Sequence, residues 1–225
     1  MATDFETRAR TWDDDPAKVQ RARVVAEAVR AAVPLSATTR MLEYGAGTGL
    51  VSQFLADDVG TLTLAEPSAG MRAVMIDKVA AGTLPTEARL WDLDLTNGGV
   101  PDERFDLVVT VMTLHHIPDL DPVLDGFATL LVEGGHLCIV DLEAEDGSFH
   151  RGDDGFDGHD GFDRGDLTGR LERAGFEAIR FERCHEIEKE GLAYRLFLVS
   201  CTNAHRGSGT ASDRADGESS APTVR

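Results

Sequence analysis

Glu43-Tyr44-Gly45-Ala46-Gly47-Thr48-Gly49 is the stretch whose reading settles the fold. Residues 41–44 before it form a short apolar run that reads as a strand. A helical pattern continues after it to about residue 55. Glycine at such a junction lets the backbone turn tightly and approach a ligand with no Cβ in the way. A Gly-x-Gly-x-Gly run is weak evidence alone. Its position between strand and helix gives it weight, as does Glu66 at the end of the next strand, 21 residues beyond Gly45. A carboxylate at that place can accept both ribose hydroxyls of an adenosine ligand.

The same alternation extends outward. A helix over 17–33 follows Asp15-Pro16 and stops at Pro34. Strand 61–65 is followed by a helix over 69–80, and 88–91 reads as a third, weaker strand. Residues 105–112 (FDLVVTVM) form a run that is apolar but for Asp106 and Thr110, as expected of a strand covered on both faces. Asp121-Pro122 opens a helix expected to end near Glu133-Gly134-Gly135, with strand 136–140 after it. Five strand–helix alternations predict an α/β fold, Rossmann-like, with a mainly parallel sheet and helices on both faces. Ligands of such sheets bind beyond the carboxyl ends of the strands. Segment 141–162 reads as a long acidic, glycine-rich loop on the substrate side. A helix then ends at Ala174-Gly175, and 176–187 and 192–201 read as a terminal antiparallel hairpin, giving seven strands. From Asn203 to Arg225 the chain is rich in Gly, Ser, Asp, Thr and Ala and is expected to be a disordered tail, leaving 1–202 as the domain.

Two ligand classes share this strand–turn–helix geometry. Dinucleotide folds carry Gly-x-Gly-x-x-Gly, with a pyrophosphate at the helix N-terminus. Here the third glycine arrives one residue early, and Glu43 precedes the first glycine by two. A site with negative potential suits a cationic amino-acid sulfonium better than a pyrophosphate. An NAD- or nucleotide-sugar-dependent enzyme remains the competing class, and a cofactor-binding protein without catalysis a third.

With Glu66-Pro67-Ser68-Ala69-Gly70-Met71, Trp91-Asp92-Leu93, Phe105-Asp106-Leu107 and Leu114-His115-His116-Ile117 added, the chain resembles the class I S-adenosylmethionine-dependent methyltransferases over about residues 5–201. Its flavour is similar to the small-molecule, ubiquinone- and menaquinone-pathway branch. The resemblance implies S-adenosyl-L-methionine as cofactor. It implies Gly45, Ala46 and Gly47 against the methionine portion and Glu66 on the ribose. Met71 is implied near the adenine, Asp92 and the Leu93 backbone at the adenine edge, and Thr110, with Val111 and Met112, beside the transferring methyl. Residues 1–34 are implied as a helical lid, with Trp12 touching the cofactor. His115 and His116 follow the fourth strand on the face where an acceptor enters. They are weak candidates for a base, and the catalytic residues are otherwise unknown.

The formal charge of −18 opposes binding to phosphate backbones, so nucleic acid is an unlikely substrate and a small molecule the expected one. Three lysines stand among 22 basic residues, and this with the acid excess suits a halophile's concentrated salt. Cys138, Cys184 and Cys201 form no CxxC pair, so no zinc or redox motif is indicated. His150 and His159, with Asp153, Asp154 or Asp157, match no metal-ligand spacing, and no metal site is expected. No run approaches membrane-spanning length and no basic-then-apolar leader opens the chain, so a cytoplasmic monomer or homodimer is the expectation.

Overall fold

A computed structural model of the protein describes residues 6–97, 99–153 and 155–204. Among them seven strands form one sheet: β1 (Arg40–Tyr44), β2 (Thr61–Ala65), β3 (Arg89–Trp91), β4 (Phe105–Val111), β5 (Leu131–Leu142), β6 (Phe176–Lys189) and β7 (Leu192–Asn203). The order across the sheet is β3-β2-β1-β4-β5-β7-β6. The first five strands are parallel, while β7 lies antiparallel to both β5 and β6. Strand order reverses between β1 and β4, and the crevice at such a switch point is where doubly wound sheets bind ligands. At the opposite end of these two strands Arg40 clamps Asp106 through Nε and Nη2, at 2.9 and 2.8 Å, which pins their register.

Among the described residues the helices that pack on the sheet are α1 (Pro16–Ala32), α2 (Leu50–Leu55), α3 (Ala69–Ala80), α4 (Asp121–Leu130) and α5 (Arg164–Arg173). Their starts follow from capping chemistry. Asp15 accepts from Ala17 N and is followed by Pro16. Ser68 accepts from Met71 N, and Asp163 accepts from Gly165 N and Asp166 N. Such caps satisfy N–H groups that have no partner within the helix. One apolar core joins β1, β4, β5 and β7 to α4 and α5 through Leu42, Val108, Phe127, Leu171 and Phe197. A second joins the sheet to α1, α2 and α3 through Val25, Val29, Leu55, Leu64 and Met75. Helices therefore lie on both faces, as the alternation predicts.

Three boundaries differ from expectation. The helix expected to run to Gly135 stops at Leu130, and β5 starts at Leu131. Pairing with β4 jumps from Phe105↔Leu131 to Leu107↔His136, so Gly134 and Gly135 serve a bulge rather than a helix stop. The helix can end early because Asn203 Nδ2 donates to the carbonyls of Ala128, Leu131 and Val132 at 2.9, 3.1 and 3.3 Å. Asn203 thus closes β7 and is 1% exposed, rather than opening the tail; residues 205–225 lie outside the described residues. Asp141 and Leu142 belong to β5, so the acidic loop starts at Glu143.

Candidate functional site

A cavity of about 420 Å³ lies beyond the carboxyl ends of β1, β2 and β4. That is a usual size for a small-molecule site. Its floor is the glycine turn. Gly45, Gly47 and Gly49 have φ of +69°, +57° and +74°, a region that disfavours side chains. Their roles differ. A Cβ on Gly45 would sit 2.3 Å from Thr113 Cγ2, so this glycine lets the ends of β1 and β4 close on each other. A Cβ on Gly47 would meet nothing within 4 Å. Gly47 is therefore bare backbone presented to the cavity.

Glu66 sits at the rim, 9% exposed. Gly47 N donates to its Oε2 at 2.8 Å and Ser68 N to its Oε1 at 2.9 Å. The carboxylate is oriented before any ligand arrives and keeps lone pairs for hydroxyl donors. Burial pushes its pKa up despite these bonds. Glu43 also lines the cavity, but its carboxylate is held by Ser52, whose backbone N donates at 3.0 Å and whose hydroxyl donates too. Desolvation of Glu43, 2% exposed, raises its pKa to about 7.

The N-terminal segment forms the roof. Trp12, Lys18, Arg21 and Ala22 line the cavity, with Lys18 Nζ 4.1 Å from the centre of the Trp12 ring. Asp13 ties this segment down by accepting from Thr48 Oγ1 at 2.6 Å and pairing with Lys78 Nζ at 2.5 Å. Glu6 adds a second tie, accepting from Ser68 Oγ and Gly70 N.

Of the residues expected at the site, Trp12, Glu43, Gly45, Ala46, Gly47, Glu66, Met71 and His116 line the cavity. Asp92 does not. It is exposed and pairs with Arg72 at 3.1 Å, while Asp94 and Thr96 stand at the cavity instead. Leu93 belongs to the apolar core and is not a lining residue. Thr110 is fully buried within β4; Val111, Met112 and Thr113 reach the cavity one to three residues later. Met112 has φ +52°, a strained conformation for a side-chain-bearing residue and one that recurs at functional sites. Sequence reasoning missed Arg21 and Lys18, whose clue was only their helical spacing after Asp15.

The two histidines part ways. His116 lines the cavity, and burial beside His115 and His150 drives its pKa down to about 3, so its ring is neutral and a feeble base. His115 is 1% exposed, and its Nδ1 lies 2.5 Å from Asp141 Oδ1. Asp141 also accepts from the backbone N of Leu114, His115 and Leu142. His150, from the acidic loop, brings its ring to both: one ring nitrogen from each of His115, His116 and His150 lies within 4.8 Å of the other two. His159 and Asp157 are not in that group, and Asp154 lies outside the described residues.

A mainly parallel sheet closed by antiparallel C-terminal strands, with a glycine turn at its switch point, a carboxylate after β2 and a helical roof, is the class I methyltransferase architecture. Residues 17–181 match the family model described as "Methyltransferase domain", and the chain belongs to that family. An uncharacterized methyltransferase of Anoxybacillus flavithermus is 31% identical over 103 residues, covering 45% of this chain and 46% of that one. The chain spans less than half the length of the first curated relatives it matches. Among solved structures, the methyltransferase seen with the Trm112 activator of Haloferax volcanii superposes with a TM-score of 0.72 at 15% identity, over 89% of this chain and 98% of that one. The DhpI–SAH complex superposes with a TM-score of 0.67 at 21% identity, over 91% and 96%. Among the described residues no helix is long and apolar enough to cross a membrane.

Proposed function

We propose that the protein transfers a methyl group from S-adenosyl-L-methionine to a small-molecule acceptor. The observation that carries this reading is the Glu66 carboxylate, fixed by Gly47 N and Ser68 N at the rim of a cavity floored with bare glycine backbone. In that reading Glu66 takes the ribose hydroxyls and Met71 packs at the adenine. Asp94, rather than Asp92, stands at the adenine edge. Arg21 and Lys18 face the carboxylate of the amino-acid portion. Residues 6–34 act as the lid, and 143–162 wall the acceptor side. When bound, the cofactor supplies a methyl already activated on a sulfonium. The protein's work is alignment, worth on the order of 7–11 kcal/mol. A His116 ring that resists protonation is in keeping with proximity rather than base catalysis.

The acid-rich surface favours neutral or cationic acceptors over phosphorylated ones, and an acceptor of the quinone-pathway kind is the finer reading that the sequence motifs suggest. It also fits work in a salt-rich cytoplasm. Calorimetry in strong salt tests the central claim. S-adenosylmethionine and S-adenosylhomocysteine should bind, NAD should not, and Glu66→Ala should lose roughly 100-fold or more in affinity, since two hydrogen bonds to a charged group are worth about 3–6 kcal/mol. Heat with NAD alone, or parental affinity in Glu66→Ala, refutes the assignment. Incubation with labelled cofactor and a metabolite extract then identifies the acceptor by the mass of the added methyl.

A further inference from the structure

We propose that His115, His116 and His150 form a binding site for one divalent transition-metal ion, of the zinc or cobalt kind, on the acceptor side of the cavity. The three rings come from two separate parts of the chain, the turn after β4 and the loop after β5, yet one ring nitrogen of each lies within 4.8 Å of the others. An all-imidazole donor set selects zinc, cobalt or nickel and is unsuited to magnesium or calcium, which take oxygen.

The neighbours of the rings are those of metal ligands. Asp141 holds His115 Nδ1 at 2.5 Å, and Asp153 holds His150 Nδ1 at 2.9 Å. Asp141 already accepts three backbone N–H groups, as an ionised carboxylate does, so His115 Nδ1 carries the proton and Nε2 the lone pair. A carboxylate behind each imidazole is the usual support for a ligating histidine. The Nε2 atoms of His115 and His150 are buried and have no hydrogen-bond partner among the described residues. Buried ring nitrogens left this way are rare and call for a cause.

The loop is also fastened where the site needs it. His159 N donates to His115 O at 2.7 Å, and a Cβ on Gly158 would lie 2.0 Å from that same oxygen. Phe156 stacks on the His150 ring at 3.8 Å and 10°. Tetrahedral coordination with bonds near 2.0–2.1 Å sets ligand nitrogens about 3.4 Å apart, so the rings need close by no more than about 1.5 Å. Three protein ligands leave a fourth position open, the arrangement of reactive rather than structural zinc. His116 faces the cavity, so that position belongs to the acceptor. An acceptor hydroxyl or thiol would bind there as its anion, its proton passing to solvent, which supplies the activation that no side chain of the site provides.

The test uses the full chain stripped with chelator, then titrated with Co²⁺ and Zn²⁺ in strong salt with excess Mg²⁺ to occupy surface carboxylates. One Co²⁺ per chain should bind and give the intense visible bands of a four-coordinate site. His150→Gln and His116→Gln should each weaken binding roughly 100-fold or more, and Asp153→Asn, whose side chain is exposed and sits behind the ligand, about 10–100-fold. His185→Gln should match the parent. Circular dichroism checks that each variant is folded. Parental Co²⁺ binding in both His150→Gln and Asp153→Asn, or no saturable binding in the parent, overturns the site. Titrating S-adenosylhomocysteine into the same stripped protein reads the cofactor assignment separately, so failure of one leaves the other standing.

Discussion

Replacing Glu43 by Gln should change how stability depends on pH. The carboxyl is enclosed beneath the glycine turn, and its pKa in the folded chain is about 7, against an ordinary value of 4.5 in the unfolded one. Below pH 4.5 it is protonated in both states and exerts no pH-dependent effect. As pH rises from 4.5 to 7 the unfolded chain releases the proton and the folded chain keeps it. Stability is therefore lost across that window and the deficit is constant above it. A difference of this size is worth about 3 kcal/mol at neutral pH. Glutamine keeps the shape, and its carbonyl oxygen can accept from Ser52 N and Oγ, so the variant should gain stability relative to the parent as pH rises. Urea unfolding of both proteins at fixed salt, every half unit from pH 4.5 to 8, gives the difference free of the other 39 acidic residues, whose contributions cancel. A gap that opens by about 3 kcal/mol and levels off above pH 7 bears the reasoning out. Parallel curves would mean that Glu43 ionises normally and that its burial does not govern its charge.

Two further substitutions separate the roles of neighbouring groups. Gly45→Ala should prevent folding or cost several kcal/mol in urea unfolding, because its Cβ meets Thr113 at 2.3 Å and φ is positive. Gly47→Ala should cost only about 1–2 kcal/mol of stability yet weaken S-adenosylhomocysteine binding, since its methyl enters open cavity. Asn203→Ala should cost about 1–3 kcal/mol by leaving the carbonyls at the end of α4 unpaired, seen as a lowered melting temperature with the cofactor site intact.

The strands and helices were legible because their signals are local. Ala69–Ala80 is framed by Ser68, which caps it, and the apolar run of Phe105–Val111 announces a strand covered on both faces. Gly134-Gly135 misled because the same residues punctuate helices and bulges, and what decided between them was Asn203, some 70 residues further along. At the site, Glu66 and the glycines were legible since one strand and one turn place them. Asp92 and Asp94 could not be told apart, because both follow β3 and only the course of the chain after Trp91 shows which one looks inward. The histidine cluster was not legible at all: His150 stands 34 residues after His116, and nothing in their spacing brings them together.

The placement of β7 has a consequence for how the protein matures. β5 carries Asp141, and the outer edge of β5 is paired by β7, with Asp141 opposite Phe197. On a ribosome the parallel half emerges first, and until residue 203 has cleared the exit tunnel that edge has no partner. The glycine turn draws on β1, β2 and β4 alone, so a nascent chain can shape it before the edge of β5 beside Asp141 is paired.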